Sequence, residues 1–112
     1  MPRPSAPRYD IEISVQLVTA SPARAVSRNI SSSGMLVRSS RPLSKGTRVR
    51  LEPLLAGGVA EVVWTRETRT GAEDAPSGVD IGLKFVSLPQ HDRDTVSALI
   101  RSLERTKMSR ML

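Results

Sequence analysis

The sequence predicts an all-β domain, a sandwich or barrel of six short antiparallel strands, followed by one C-terminal helix. Six apolar stretches, most of them alternating with polar residues, are separated by turns that contain proline, glycine or short polar residues. Near the C-terminus the apolar residues change to helical spacing. A chain of 112 residues is the length of one domain with a single modest core.

The first four strands are predicted between residues 10 and 53. In the first of them, apolar and polar residues alternate as in a half-buried strand, with the apolar face formed by Ile11, Ile13, Val15 and Leu17. Turn residues then separate three further strands at about 23–30, 35–38 and 47–53. Short strands joined by such turns are typical of an antiparallel sheet.

Two more strands follow the paired glycines at residues 57 and 58. The fifth is predicted at 59–66 and the sixth at 78–86, and the polar stretch 67–77 between them is predicted as a loop. Trp64 and Phe85 lie on these apolar strands. We therefore expect both rings to pack in the core rather than to stack on a base.

The tail of the chain is predicted as a helix at about 89–106, for which Pro89 and Asp92 offer start signals. Its apolar face is formed by Val96, Leu99, Ile100 and Leu103. Such a helix can close an open end of the barrel. Residues 10–112 are thus predicted as a single domain, and residues 1–9, rich in proline and arginine, as a flexible leader.

The chain is basic and rich in arginine, which favours an anionic partner. Lysine and arginine total 17 against 11 acidic residues, for a formal net charge of +6, and 14 of the 17 are arginine. The planar guanidinium grips phosphate and guanine through pairs of hydrogen bonds. Three aromatic residues are too few for the stacking surface of a single-strand nucleic-acid binder. Nucleic acid is therefore not the expected partner.

The composition also argues against several classes of chemistry. The chain has no cysteine and one histidine, His91, so neither a zinc site of these residues nor a Ser-His-Asp triad is expected. No nucleophile–base constellation is recognisable, and we predict no enzymatic activity, metal or cofactor. No apolar run reaches the roughly 18 residues of a membrane span, and the N-terminus lacks the apolar region of a signal peptide. We expect a soluble, cytoplasmic protein.

The most informative stretch lies between the second and third predicted strands, where Asn29, Ser31 and Gly34 follow the pattern Asn-x-Ser-x-x-Gly. Asparagine and serine side chains can bond a small polar or anionic ligand, or their own backbone. Glycine permits a positive φ or a close backbone approach. On the residues alone, a self-bonded turn is favoured over a ligand site. The flanking Arg28 and Arg38 are expected on a solvated face.

Four short motifs follow one another along the chain. The first is Arg8, which leads into the first strand, and the second is the Asn29–Gly34 pattern. The other two are the strand segments Val62-Val63-Trp64 and Gly82-Leu83-Lys84-Phe85. In this order, and with a helix after them, the motifs resemble the PilZ domain, a bacterial receptor module for the second messenger cyclic di-GMP. The fold that the resemblance implies is a six-stranded antiparallel β-barrel with a terminal helix.

The resemblance also implies a binding site for cyclic di-GMP. Its expected residues are Arg8, Asn29, Ser31 and Gly34. The family motif Arg-x-x-x-Arg would place its first arginine at residue 4, which is Pro4 here, while Arg3 lies one residue further out. Spacings of four and five residues point differently in extended and in polyproline II backbone. Arg3 is therefore predicted as a weaker second clamp.

The function implied is a receptor or adaptor domain that signals when ligand binding orders its N-terminal leader. Its partner would be a protein of motility, pilus, polysaccharide or transcription machinery. One alternative is a PilZ-like domain that does not bind the nucleotide and acts through protein contacts, which the residue at position 4 favours. A second alternative is a small basic nucleic-acid-binding barrel, against which the scarcity of aromatic residues counts.

Overall fold

The computed structural model describes residues 7–68 and 78–111, in which seven strands precede one helix. The strands are β1 Tyr9–Asp10, β2 Ser14–Val18, β3 Ala23–Ile30, β4 Gly34–Ser39, β5 Arg48–Glu52, β6 Val59–Thr68 and β7 Gly78–Ser87. The helix α1 is Gln90–Met111, five residues longer at its C-terminal end than predicted. Most of the predicted leader, 1–9, and of the predicted loop, 67–77, lies outside the described residues.

Six of the strands form a closed antiparallel barrel, which confirms the predicted fold class. Around the barrel the order is β3, β2, β5, β6, β7 and β4, and a pairing of β4 with β3 closes it. The two-residue strand β1 pairs with the end of β3. Because closure pairs each barrel strand on both sides, hydrogen-bonding edges are largely absent from this sheet.

The predicted first strand is interrupted between β1 and β2. Asp10 pairs with Asn29 and Ser14 pairs with Val26, so three residues between these pairs, 11–13, oppose two on β3, 27 and 28. This extra residue makes a bulge. The buried Ser27 hydroxyl fills it, accepting a hydrogen bond from the Ile13 amide at 2.8 Å and donating to the Ile11 carbonyl at 3.2 Å. Residues 11–13 are therefore joined to β3 by the Ser27 side chain together with two backbone hydrogen bonds, from the Ile11 amide to the Arg28 carbonyl and from the Ser27 amide to the Ile13 carbonyl.

The core combines the inward side chains of the barrel with one face of α1. Apolar residues at alternate positions of β2, β3 and β5 are buried, as their pattern predicted. In α1, Val96 is buried in the same cluster. The partly buried residues packed against that cluster from the helix are Leu99, Ile100 and Leu103. The predicted apolar face of the helix is thus the face that covers the core.

Trp64 lies outside the core, and the prediction that it packs there is wrong. Its side chain is 42% exposed. Val62 pairs with Leu83 and Trp64 pairs with Gly82, so Val63 is an extra residue that shifts the alternation of β6. The indole consequently covers Gly82 on the outer surface, where a Cβ would overlap its ring. Phe85 is partly buried against the core, in agreement with its prediction.

Asp92 anchors the helix to the loop before β6. Its carboxylate is 1% exposed and accepts hydrogen bonds from the backbone amides of Ala56, at 2.7 Å, and Gly57, at 3.0 Å. Burial acts to raise the pKa of Asp92, but the amides of Ala56, Gly57 and Gly58 outweigh it and hold the pKa below its ordinary value. Asp92, which the sequence indicated as part of a helix start, thus also connects the helix to a loop that is distant in the sequence.

We expect Asp92→Asn to lower the free energy of unfolding at pH 7 by about 1–3 kcal/mol, because the amide keeps only one acceptor oxygen. Since the folded pKa lies below the ordinary value of 3.8, the carboxylate stabilises fully above that value and its contribution disappears as pH falls through the folded pKa. Urea unfolding at pH 7 and at steps below pH 5 measures both effects.

The matched control is Asp94→Asn, which changes an exposed carboxylate of the same turn that is bonded to Gln90. This variant should unfold with nearly wild-type stability. Equal losses in the two variants, or an Asp92→Asn protein whose stability falls as steeply in acid as that of the wild type, would show that Asp92 does not tether the helix.

Candidate functional site

The contact between Arg8 and Asn29 joins two of the sequence motifs on the outside of the barrel. Nη1 of Arg8 donates a hydrogen bond of 2.8 Å to Oδ1 of Asn29. The residues are 21 positions apart and meet because Asp10 of β1 pairs with Asn29 of β3. Arg8 is exposed, so its guanidinium has donors left for a ligand.

A bulge at Arg28 decides which way Asn29 points. Ser27 pairs with Val37 and Asn29 pairs with Leu36, so Arg28 is an extra residue in β3. Without it, strict alternation would place Asn29 on the same inward face as the buried Ser27. The bulge instead leaves Asn29 half-buried beside Arg8 and leaves Arg28 exposed.

A groove of about 610 Å³, here called the motif groove, opens beside this contact. Its lining residues are Asp10, Ile11, Glu12, Ser27, Arg28, Asn29 and Leu36. One side thus offers guanidinium and amide donors, and the other offers two carboxylates. The groove can bind a ligand that carries both anionic groups and hydrogen-bond donors. Sequence reasoning missed the two carboxylates because nothing in their spacing marks them as a site.

Ser31 and Gly34 form the turn next to the groove. Ser31 is fully buried, and its amide donates a 2.8 Å hydrogen bond to the Gly34 carbonyl. Its hydroxyl accepts from the Ser33 amide at 3.2 Å and lies 3.1 Å from the Ser33 hydroxyl. The interpretation of a self-bonded turn therefore holds for Ser31, whereas Asn29 bonds a distant side chain.

Gly34 is required for the close approach of β4 to β7. A Cβ at this position would overlap the carbonyl oxygen of Leu83. Its φ is not positive, so of the two roles expected for this glycine the close approach is the one present. Arg3 and Pro4 lie outside the described residues.

The exposed Trp64 belongs to the same outer surface. Asn29 pairs with Leu36, Leu36 with Gly82, and Gly82 with Trp64, so these residues form one row across β3, β4, β7 and β6. At the usual spacing between strands, the ends of this row are roughly 14 Å apart. The sequence feature that could have indicated the outward position of Trp64 is Gly82, whose missing side chain makes room for the indole.

Arg38 does not lie free on a solvated face as predicted. Its Nε is 3.1 Å from Oδ1 of Asp80, in an ion pair whose side chains are 32% and 12% exposed. Arg28 is exposed as expected and, within residues 7–68 and 78–111, has no carboxylate at salt-bridge distance. Of the two arginines that flank the motif, Arg28 is thus the one that lines the motif groove, where it has no close ion pair and shares the lining with Asp10 and Glu12.

The described residues contain no group of three or more histidines and acidic residues placed to hold a metal ion. No helix in that part of the chain combines the length and apolarity needed to cross a membrane.

Comparisons with known proteins relate the chain to one family. A sequence model of the PilZ domain matches residues 2–102. The structure is similar to the PilZ domain, with c-di-GMP, of YcgR from Escherichia coli, at 17% identity and a TM-score of 0.73 over 98% of both chains. It is also similar to MrkH in the K. pneumonia MrkH–c-di-GMP complex, at 13% identity and a TM-score of 0.70, over 98% of this chain and 56% of MrkH. No curated protein sequence matches significantly. At these identities the two structural likenesses show a common fold.

Proposed function

The chain belongs to the PilZ domain family, and from this we propose that it is a receptor domain for cyclic di-GMP. The observation that carries the proposal is the 2.8 Å contact of Arg8 with Asn29, which joins the arginine motif to the Asn-x-Ser-x-x-Gly motif beside the motif groove that Asn29 lines. The two similar structures, both described with c-di-GMP, support the same ligand.

The motif groove offers complementary groups for each part of this ligand. Cyclic di-GMP has two phosphates, and each of its guanines has O6 and N7 as acceptors and N–H groups on its Watson–Crick edge. Arg8 and Arg28 suit the phosphates or the O6 and N7 acceptors, because guanidinium forks bind them in pairs of bonds. The carboxylates of Asp10 and Glu12 suit the N–H groups of guanine.

Asn29 holds Arg8 and can bond the ligand at the same time. Its Oδ1 accepts from Arg8, while Nδ2 has no protein partner among the described residues. Ser31 and Gly34 act on the site by fixing the turn, since the Ser31 hydroxyl is buried within it. The proposed binding site thus consists of Arg8, Asn29, Ser31 and Gly34, with Arg3 as a weaker second clamp.

The signal proposed is the ordering, around the bound nucleotide, of the leader residues that precede Arg8, since Arg8 already bonds Asn29 and Tyr9 is already paired in β1. Ordering a residue costs roughly 1–2 kcal/mol, which charge-assisted bonds to the phosphates would offset. Arg8 links this segment to the barrel, because it precedes β1 directly and bonds Asn29 of β3. The newly ordered surface would recruit or release a protein of motility, pilus, polysaccharide or transcription machinery.

Isothermal titration calorimetry tests the receptor function directly. Cyclic di-GMP injected into the full chain should release or absorb heat with a saturating curve, and its midpoint gives one or two nucleotides per chain. GMP at the same concentration is the control, because it has one guanine and one phosphate. The absence of a binding isotherm at tens of micromolar cyclic di-GMP would reject the receptor and favour the alternative, a domain that acts through protein contacts alone.

Pro4→Arg should raise the affinity for cyclic di-GMP about tenfold, because it restores the Arg-x-x-x-Arg spacing with Arg8 and adds a charge-assisted clamp. The matched control is Pro2→Arg, which adds the same charge outside that spacing. Calorimetry on the wild type and the two variants distinguishes the effect of the arginine spacing from the effect of the added charge. Equal gains in both variants would mean that the spacing is irrelevant, and no gain in either would mean that Arg3 already serves as the clamp.

A further inference from the structure

A second and larger groove, of about 1010 Å³, follows the outer face of the barrel next to the motif groove. We call it the arginine groove, after three of its lining residues, Arg24, Arg28 and Arg38. Val26, Glu12 and Glu52 also line it. Because Arg28 and Glu12 line both grooves, the two adjoin along β3.

The arginine groove has an apolar centre. Val26 is 37% exposed and stands on β3 between Arg24 and Arg28. Its direct neighbours across the sheet are Ser14 of β2 and Arg38 of β4. An exposed apolar side chain surrounded by arginines has the anatomy of a protein interface, in which arginine is enriched and an apolar contact is enclosed by a polar rim.

Some charged side chains of the arginine groove have ion-pair partners and others have none among the described residues. On the β3 and β4 side, Arg38 is paired with Asp80, whereas Arg24 and Arg28 have no salt bridge within the described part of the chain. On the opposite side, Glu52 is paired with Arg50, 3.4 Å away. Glu12 also lines the groove without a salt bridge among the described residues, so two unpaired arginines stand against one unpaired glutamate. The remaining excess of positive charge next to Val26 complements a carboxylate-bearing partner.

Two features favour a protein segment over nucleic acid. Glu12 and Glu52 line the groove, and a phosphate chain, charged at every nucleotide, must lie against them, whereas a peptide can limit its carboxylates to the positions that face Arg24 and Arg28. The exposed Trp64 does not line the groove, so bases would find no aromatic ring there. β3 is paired on both sides, so a partner must be held by side chains rather than by adding a strand.

We propose that the arginine groove docks an acidic segment of a partner protein, with carboxylates bonded to Arg24 and Arg28 on either side of an apolar residue packed on Val26. Docking of this kind does not require nucleotide. Its position beside the motif groove nevertheless gives a bound nucleotide direct access to Arg28, which both sites share.

The test measures fluorescence anisotropy of a labelled twelve-residue peptide of serine and glycine that carries one central leucine and a glutamate two positions to each side of it, titrated with the full chain. We expect saturable binding that Arg24→Glu weakens about tenfold, as is usual for reversing a charge at an interface. Val26→Ser should weaken it several-fold without any change of charge. Arg105→Glu, an equal charge change at an exposed helix position outside the groove, should stay within a factor of two.

Other results would assign the arginine groove to a different occupant, or to none. Equal weakening by Arg24→Glu and Arg105→Glu would reduce the effect to net charge and overturn the proposal. A labelled dT12 oligonucleotide that binds more tightly than the peptide, and loses affinity in Arg24→Glu, would assign the groove to nucleic acid instead. Self-association in sedimentation that disappears with Val26→Ser would assign it to a second copy of the chain. Circular dichroism checks that every variant is folded.

Discussion

Arg8→Ala is expected to lower the affinity for cyclic di-GMP by about 30- to 100-fold, the loss that follows from removing a charged hydrogen-bonding partner. The side chain is exposed, and its contact within the described barrel is the hydrogen bond to Asn29. The variant should therefore keep its fold and lose ligand contacts. Calorimetry of wild-type and variant protein under the same salt conditions measures the loss.

Two control variants sharpen this experiment. Arg105→Ala removes the same charge from an exposed helix position and should leave the affinity unchanged within a factor of two. Arg8→Lys keeps the charge but removes the planar fork, so it should recover only part of the affinity if the arginine binds through paired bonds. An Arg8→Ala protein that binds as tightly as the wild type would place the nucleotide elsewhere and refute the proposed site.

Gly34→Ala should destabilise the barrel by about 3 kcal/mol or more, the upper range for overpacking in a closely packed structure. The new Cβ would overlap the Leu83 carbonyl oxygen and lie 3.1 Å and 3.2 Å from backbone carbons of Leu83 and Lys84. Backbone in a central strand cannot swing aside as a side chain can, so β4 and β7 must separate. Urea unfolding followed by circular dichroism measures the change.

The matched control for this variant is Gly57→Ala, since a Cβ at Gly57 meets nothing within 4 Å. Its stability should stay within about 1 kcal/mol of the wild type. Similar stabilities for the two alanine variants would show that β4 and β7 do not require glycine at position 34. If Gly34→Ala lost nucleotide binding, the measured loss of stability would show that the cause is a damaged barrel rather than a lost ligand contact.

The order of strands and the helix could be predicted because their signals are local. Alternation in β3 and β5, and helical spacing from Val96 to Leu103, depend only on neighbours in the chain. The failures occurred where one extra residue changes the alternation. Val63 moved Trp64 from the expected core to the surface, and no local pattern announces such a bulge.

The candidate site was predicted in part for the same reason. Motif residues Asn29, Ser31 and Gly34 could be identified from their spacing, but their different roles could not. Ser31 is a buried turn residue and Gly34 a packing residue, whereas Asn29 bonds Arg8 across the sheet. Each role depends on a partner distant in the sequence, and spacing within one motif carries no information about that partner.

By itself the sequence determined the class of fold, the motif turn and the excess of arginine, since composition and periodicity are properties of the chain alone. Tertiary structure decided how these parts meet. Pairing of β1 with β3 brought Arg8 to Asn29, and the bulge at Arg28 turned Asn29 outward, where Arg8 bonds it. Pairing of β3 with β2 and β4 likewise set Ser14 and Arg38 beside the exposed Val26, because only the pairing of strands brings side chains from distant parts of the chain to a common outer face.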